Sequence, residues 1–257
     1  MSTVLSAENV VKRYGSFTAL HGVSFALEKG KTLGVVGESG SGKSTLGRIV
    51  MRLMTLDEGK VFLGDDDLFA LSRSELRVAR RRIQLVPQDP RHALNPAMTV
   101  KDNLFFQLRA QGIARSTWNA KAEELLGQVS LPADYLHAYP HELSGGQAQR
   151  VAIARAIANK PEVLVCDEAV SALDKSVQAQ VLNTFAELQS SLGVAMFFIS
   201  HDLAVVEHIS DDVLVLNRGT AVESGRTRDV LSNPQDPYTR ELLEARHSVS
   251  EIGRAHV

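Results

Sequence analysis

The sequence has little of several features that define other classes of protein. It holds a single cysteine, Cys166, which excludes an internal disulfide and any multi-cysteine metal or iron–sulfur site. No run reaches the roughly 18 consecutive apolar residues that a membrane-spanning helix needs. The first ten residues show neither the basic start nor the apolar segment of a secretion signal. These absences predict a chain that stays in the cytosol, with Cys166 as a buried structural thiol.

An excess of charge of one sign is also missing. Lys and Arg number 28 and Asp and Glu number 30, so the formal net charge is -2. This balance lacks the positive excess that neutralises nucleic-acid phosphates, and we expect no nucleic acid as a partner. Hydrophobic residues make up 44% and charged residues 23%, which is typical of a folded globular protein.

Short apolar runs alternate along the chain with segments of helical periodicity. The runs predicted to be strands are 32–36, 61–63, 83–86, 163–165, 196–199 and 213–216. Strands separated by helices predict an α/β fold with a largely parallel, buried sheet and helices on its faces.

Other segments depart from this alternation. The segments at 5–14 and 23–27 predict a small antiparallel sheet, and a last short helix is expected at 238–245. We expect one domain over residues 1–246, which includes a mostly helical subdomain at about 92–160, followed by a loose C-terminal tail at 247–257.

Residues 37–45, GESGSGKST, follow a predicted strand and lead into a predicted helix at 45–54. This is the P-loop motif in its required context, where turning glycines aim backbone amides at a phosphate chain and the helix N-terminus favours negative charge. Lys43 is expected to reach the β- and γ-phosphates, and the Ser44 hydroxyl to bind Mg²⁺. The predicted nucleotide-binding residues are Gly37, Ser39, Gly40, Ser41, Gly42, Lys43, Ser44 and Thr45.

This motif alone is compatible with kinases, GTPases and motor ATPases, because the loop indicates a bound triphosphate but not the reaction that follows. Polar side chains at three further predicted strand ends indicate which groups could bind the metal and the attacking water. Asp167 and Glu168 end one apolar strand; we expect Asp167 to hold Mg²⁺ and Glu168 to polarise the attacking water. His201 and Gln88 follow two other strands, so one site for nucleotide, metal and water is predicted.

A second glycine-rich segment, LSGGQ, precedes a predicted helix at 148–159. Such a helix start can bind an anion. Because one phosphate loop already exists in the chain, this segment makes sense if it faces the nucleotide of another subunit. Its predicted contact residues are Ser144, Gly145, Gly146 and Gln147.

With this segment the chain resembles the ABC ATPase family, whose signature is LSGGQ, over nearly its whole length. The resemblance implies a RecA-like core with an antiparallel β-subdomain and a helical subdomain. It further implies that Tyr14 stacks on adenine, that Gln88 links the metal to the transporter contact and that His201 contacts the γ-phosphate. Residues 171–174 are similar to the loop that crosses the dimer interface, in which two subunits enclose two ATP molecules.

A finer resemblance is to the second ATPase of bacterial importers for oligopeptides, dipeptides and nickel. It rests on GESGSGKSTLGR, QDP, LNP, YPHE before the signature, SVQAQVL and NPQDPYTRELL. Ala169 and Ala148 depart from the wider family, which often has proline after the glutamate and arginine or glutamine after the signature.

The finer resemblance implies an ATPase, with ATP and Mg²⁺ as its ligands, that energises an importer, most directly for dipeptides or oligopeptides. A nickel or metal-chelate importer and a soluble non-transport ABC ATPase are the alternatives. The implied partners are two transmembrane permease subunits, a second, paralogous ATPase and, indirectly, an external substrate-binding protein. The implied location is the cytoplasmic face of the bacterial inner membrane.

Overall fold

The computed structural model describes the backbone of residues 2–254 and the side chains of residues 2–91 and 93–245. The chain forms two compact units. The first unit comprises the residues up to Leu71 together with those from Phe197 onward, and the second comprises Ser72–Met196.

The strands follow one another as β1 (Thr3–Tyr14), β2 (Phe17–Glu28), β3 (Thr32–Val36), β4 (Glu58–Leu63), β5 (Asp66–Asp67), β6 (Ile83–Val86), β7 (Val163–Asp167), β8 (Ala195–Ile199), β9 (Asp212–Asn217) and β10 (Thr220–Arg226). The helices are α1 (Lys43–Val50), α2 (Arg73–Arg82), α3 (Val100–Ala110), α4 (Trp118–Gln128), α5 (Gly145–Ile157), α6 (Lys175–Leu192), α7 (Leu203–Ile209), α8 (Thr227–Ser232) and α9 (Pro237–Arg254). None of these described helices is both long and apolar enough to cross a bilayer.

In the first unit, β2, β1, β4 and β5 form an antiparallel sheet in that order. The predicted small antiparallel sheet is therefore present, but it includes the run at 61–63, which we expected in the parallel sheet. Val61 and Leu63 pair with Ala7 and Leu5 of β1 in antiparallel register. That expectation was wrong because three apolar residues carry no signal of strand direction. The alternating burial of this run is typical of a strand packed on one face.

The parallel part of the first unit is built on β3, all five of whose residues are buried. β3 pairs in parallel with β9, where Val36 lies opposite Val215, and β9 continues antiparallel into β10. Buried side chains from β3, β9, α7 and α8 form an apolar cluster: Val36, Leu203, Val206, Val213, Val215 and Val230. The carboxyl end of β3 is thereby held by β9 and by this apolar cluster.

In the second unit, β6 and β7 pair in parallel from Ile83 opposite Val163 to Val86 opposite Cys166. Between these strands the described chain is helical or irregular, with α3, α4 and α5 as its main elements. Most residues of α5 are buried. The division into domains and subdomains stated above stays a prediction.

Two helices differ in length from the expectation. α1 begins at Lys43 because Gly42, in a left-handed conformation with φ of 104°, is its N-cap. α9 extends to Arg254, beyond the predicted end at residue 245, so its backbone is helical through part of the expected tail. The last residues of that tail, 255–257, lie outside the described residues.

Candidate active site

The residues predicted to bind and hydrolyse a nucleotide fall into two groups, one in each unit. The first unit holds Tyr14, the phosphate loop and His201. The second unit holds Gln88, Asp167, Glu168 and the signature residues.

Lys43 is the first residue of α1 and is only 5% exposed. Its Nζ donates hydrogen bonds to the main-chain oxygens of Gly37, at 2.7 Å, and Glu38, at 2.8 Å. The loop therefore holds a buried cation on its own carbonyl groups. Such an ammonium can exchange carbonyl partners for the more strongly attracting oxygens of a phosphate chain.

Two glycines explain the shape of the loop. Gly37 has φ of 149°, and a Cβ at this position would overlap the main-chain oxygen of Leu216. Gly42 caps α1 without a side-chain hydrogen bond, and the first turn of α1 contains no acidic residue. The helix start therefore carries neither a side-chain cap nor a negative charge that would compete with a phosphate group.

The other predicted residues of the loop lie around this helix start. Ser39 and Gly40 are exposed, whereas Ser41 is 4% exposed. The main-chain oxygen of Ser41 accepts a 2.9 Å hydrogen bond from the β9–β10 turn. Ser44 and Thr45 lie in the first turn of α1 and are partly exposed. The residue types and their placement fit a triphosphate with its magnesium ion.

Tyr14 ends β1 and is 47% exposed. Its hydroxyl donates to Sδ of Met54 at 2.9 Å, and Nζ of Lys12 lies 5.6 Å from the ring centroid. Lys12 itself is 8% exposed and forms an ion pair with Asp57 at 3.3 Å. The tyrosine ring is thus held in place while much of its surface stays open, as stacking on a base requires.

His201 follows β8 and is exposed. The amide of Ser200 donates to the main-chain oxygen of Val35 at 3.1 Å, so the end of β8 lies beside β3. Asp202 then caps α7 by accepting from the amide of Ala204 at 2.9 Å. His201 and the phosphate loop therefore follow the carboxyl ends of adjacent strands, β8 and β3, as the sequence predicts.

In the second unit, Gln88, Asp167 and Glu168 follow the paired ends of β6 and β7. Nε2 of Gln88 lies 3.3 Å from a carboxylate oxygen of Glu168 and 3.1 Å from Oγ of Ser171. The hydroxyl of Ser171 donates to the main-chain oxygen of Glu168 at 2.9 Å. The structure therefore brings together Gln88 and Glu168, which were predicted from separate motifs.

Glu168 has φ of 49°, which is uncommon for a residue with a side chain. Strained backbone conformations of this kind occur at functional sites more often than elsewhere. The neighbouring Cys166 is fully buried, and its burial raises the pKa of the thiol, so the thiol stays protonated. Cys166 is therefore a packing residue, as predicted, and Glu168 is one of six described non-glycine residues with positive φ.

The signature forms the start of α5. Ser144 is the N-cap: its side chain accepts from the amide of Gln147, and Oε1 of Gln147 accepts from the amide of Ser144 at 2.8 Å. This is a capping box, which satisfies two amides that a helix start leaves open. Nε2 of Gln147 donates to the hydroxyl of Tyr135 at 2.8 Å. Both ends of the Gln147 amide are therefore fixed.

The two signature glycines have different surroundings. A Cβ at Gly146 would overlap Cγ1 of Val177 on α6, whereas a Cβ at Gly145 would meet only Cδ2 of Leu173, at 3.4 Å. Ser144 and Gly145 are exposed, and Gly146 is buried. Gly146 therefore permits close packing of two helices, while Ser144 and Gly145 form the surface of this helix start.

Sequence reasoning missed several residues that hold the predicted ones in place. Ser171 was recognised only by resemblance, and Tyr135 carried no signal, since it lies in a short 3-10 helix, Ala133–His137. Gln149 is 0% exposed and donates to the main-chain oxygen of Pro87 at 3.3 Å, next to Gln88. A glutamine on the otherwise apolar face of the predicted helix was the available signal for Gln149.

A buried P-loop lysine at a helix start, together with a glutamine, an aspartate and a glutamate at the ends of parallel strands, defines a P-loop nucleoside triphosphatase. Comparisons with known proteins are more specific. The ABC transporter family matches residues 20–171. A peptide import ATP-binding protein of Brucella ovis, so named, is 46% identical over 94% of this chain and 78% of its own length.

Two further relatives agree with this match. The oligopeptide transport ATP-binding protein OppF of Salmonella typhimurium is 45% identical over 88% of this chain and 69% of OppF. A solved dimeric ATP-binding cassette, in a post-hydrolysis state bound to ADP and Pi, is 30% identical, with a TM-score of 0.76. This similarity covers 87% of this chain and 99% of that one.

The chain belongs to the ABC transporter family. The α/β fold class with a P-loop core, the family resemblance and the activity class of an ATPase coupled to transport are thereby confirmed. The roles assigned to individual site residues stay predictions.

Proposed function

We propose that this chain is the ATP-hydrolysing subunit of a bacterial importer for dipeptides or oligopeptides. The observation that carries the proposal is the exposed start of α5, where Ser144 and Gly145 lie at the surface. A phosphate loop with a buried lysine and an exposed signature in one chain supply the two halves of a nucleotide site that is shared between subunits. The relatives named for peptide and oligopeptide import support the cargo class.

In the proposed reaction, the γ-phosphoryl group of ATP passes directly to water without a covalent intermediate. Glu168 orients the water and draws its proton, and His201 contacts the γ-phosphate. Lys43 counters the charge that develops on the phosphoryl oxygens, and Gln88 links the metal to the contact with the transporter. Tyr14 stacks on the adenine ring.

The donor atoms suit Mg²⁺, which prefers hydroxyl, carboxylate and amide oxygens. Ser44, Asp167 and Gln88 would hold it, and when bound it would supply positive charge to the β- and γ-phosphates. The orientation of the attacking water would then depend on the chain's own residues.

The proposed partner of each phosphate loop is the signature of a second subunit. Importers of the resembled type pair two different ATPases, so we propose a heterodimer with a paralogous ATPase. Two permease subunits would place this dimer at the cytoplasmic face of the inner membrane, and an external binding protein would deliver the cargo. No nucleic acid takes part.

The test uses the Glu168→Gln variant, tagged and purified from gently solubilised native membranes with ATP and Mg²⁺. The amide keeps the size of the carboxylate but cannot draw a proton from water. We expect retained ATP binding, loss of turnover and a trapped closed dimer. Two permease subunits, a second ATPase and a peptide-binding protein should be recovered with it.

Glu162→Gln is the matched control, because Glu162 forms a surface ion pair with Arg82 at 2.7 Å. This variant should hydrolyse ATP as the parent complex does. Undiminished turnover in Glu168→Gln would contradict the assignment of Glu168. Recovery of ribosomal or DNA-repair partners without a membrane protein would contradict transport, and a metal-binding external protein would replace peptides by a metal chelate as the cargo.

A further inference from the structure

The amide of Glu38, the second residue of the phosphate loop, donates to the hydroxyl of Tyr238 at 2.9 Å. These residues lie 200 positions apart in sequence, and Tyr238 belongs to the first turn of α9. We propose that Tyr238 is a positioning residue for the phosphate loop, and that the start of α9 holds that loop in its nucleotide-binding conformation. The inference rests on the proposed role of the loop in binding ATP.

The ring of Tyr238 is held in place by packing. It is half-buried and packs against the apolar cluster that contains Val36, the last residue of β3 before the loop. Burial raises the pKa of the Tyr238 hydroxyl, so this group keeps its proton at neutral pH. The neutral hydroxyl therefore presents its oxygen to the Glu38 amide from a ring that cannot easily move.

The start of α9 is itself clamped. The carboxylate of Glu223, on β10, accepts from the amide of Gln235 at 2.8 Å and from that of Asp236 at 3.2 Å. A side-chain oxygen of Asp236 then accepts from the amide of Tyr238 at 2.8 Å. A continuous series of hydrogen bonds thus runs from β10 through the turn before α9 to the phosphate loop.

The loop needs such support. Gly37 and Gly40 both have positive φ, and residues 38–40 are exposed, so few packed side chains restrain this half of the loop. Lys43 bonds the oxygen of Glu38, while Tyr238 bonds its amide. Tyr238 therefore fixes the amide of Glu38 by a contact that does not use Lys43, and this contact preorganises the loop for the phosphate chain.

The hydroxyl of Tyr238 can be removed without removing the ring. Because Glu38 is exposed, water can satisfy its amide in the Tyr238→Phe variant, and the apolar cluster keeps its packing. A positioning role therefore predicts weaker nucleotide binding at nearly unchanged thermal stability. A purely structural role predicts lower thermal stability with unchanged binding.

We would measure the Kd for ATP with Mg²⁺ on the full chain carrying Glu168→Gln, so that nucleotide is not consumed. Tyr238→Phe should raise Kd about two- to tenfold, the effect of one hydrogen bond to the main chain. Glu223→Gln, which weakens the clamp, should raise Kd in the same direction. Tyr139→Phe is the matched control and should leave Kd unchanged, since its exposed ring stacks on His141 at 5.6 Å.

Hydrogen exchange gives a second measurement that does not depend on affinity. In Tyr238→Phe the amide of Glu38 should exchange faster, with the increase confined to residues 37–43. Unchanged Kd and unchanged exchange at Glu38 would overturn the inference, and so would an increase spread evenly over 203–216.

Lys43→Ala separates this inference from the proposed function. It should abolish ATP binding. If Lys43→Ala binds ATP as the parent does, the proposed function fails. If Lys43→Ala loses binding while Tyr238→Phe keeps it in full, only the role of Tyr238 fails.

Discussion

Gln88 and Glu168 are joined by a 3.3 Å contact between Nε2 of the glutamine and a carboxylate oxygen of the glutamate. Ser171 completes the group, because its hydroxyl accepts from Gln88 and donates to the main chain of Glu168. The carboxylate that we propose as the base is thus contacted by Gln88, and Ser171 links Gln88 to the main chain of Glu168. The left-handed backbone of Glu168 is held by the same serine.

Ser171→Ala should lower the turnover number of the assembled transporter about five- to thirtyfold. The variant removes one hydrogen bond to the main chain of Glu168 and one acceptor for Gln88, each worth about 1 kcal/mol. KM for ATP should stay near the parent value, because Ser171 is not expected to contact the nucleotide. Steady-state ATPase kinetics with saturating Mg²⁺ separate the two constants.

The control for this prediction is Ser191→Ala on α6. The Ser191 hydroxyl also donates to a main-chain oxygen, that of Glu187 at 2.7 Å, on an exposed helix surface. Its loss should leave both kinetic constants unchanged. A rise in KM without a fall in turnover for Ser171→Ala would mean that the serine serves binding and not the orientation of Glu168.

Gly37→Ala should destabilise the chain by about 3 kcal/mol, whereas Gly40→Ala should cost about 1 kcal/mol. Both residues have positive φ, but a Cβ at Gly37 would overlap the main-chain oxygen of Leu216, and a Cβ at Gly40 would meet no atom within 4 Å. The comparison thus separates backbone strain from a steric overlap. Chemical denaturation of the two variants and the parent measures both costs, and equal costs would contradict this account.

The sequence predicted those parts of the site whose residues are contiguous. The phosphate loop and the signature are each read from a single segment, and β6, β7 and β8 were placed by buried apolar runs. The contacts of Ser171 with Gln88, across 83 positions, and of Tyr238 with Glu38, across 200, have no periodic signal. Only the folded chain shows which side chains support the motif residues.

The error about β4 and the two possible roles of Gly146 show what a short motif does not encode. The direction of β4 depends on its pairing with β1, and a short apolar run does not encode that pairing. The predicted contact of Gly146 with an anion stays a prediction, and the structure shows that this buried glycine also lies against Val177 of α6. A glycine can be required by a helix contact just as well as by a ligand, and the motif alone does not distinguish these reasons.

Gly146→Ala should therefore lower the free energy of unfolding by about 1 to 2 kcal/mol, since the new methyl group would overlap Cγ1 of Val177. Val177→Ala removes the overlapping methyl groups. In the double variant, we expect part of the loss to be recovered, with a coupling energy of about 1 kcal/mol. A double-mutant cycle measured by chemical denaturation tests this.

Gly145→Ala is the comparison for that cycle, because its methyl group would approach only Leu173, at 3.4 Å. It should show no coupling to Val177→Ala. Additive effects of Gly146→Ala and Val177→Ala would show that α6 does not require the glycine.

Asp174 gives a prediction about pH. Its carboxylate accepts from the amide of Val177 at 3.0 Å and from the hydroxyl of Ser176 at 2.8 Å at the start of α6. These hydrogen bonds, the one from Val177 first, lower the pKa of Asp174 below its usual value of 3.8. Because the pKa is lower in the folded state, the stabilisation is fully present above the unfolded-state pKa and is lost as the pH falls through the folded-state value.

The matched variant is Asp174→Asn, which keeps a capping oxygen but has no charge. At pH 7 the parent should unfold at a higher denaturant concentration than this variant, and the difference should be constant down to about pH 5. It should then shrink as the pH falls below 3.8. A difference that grows on acidification would mean that the protonated aspartate is the better cap, and the hydrogen bonds at the start of α6 would then have to be explained without the charge.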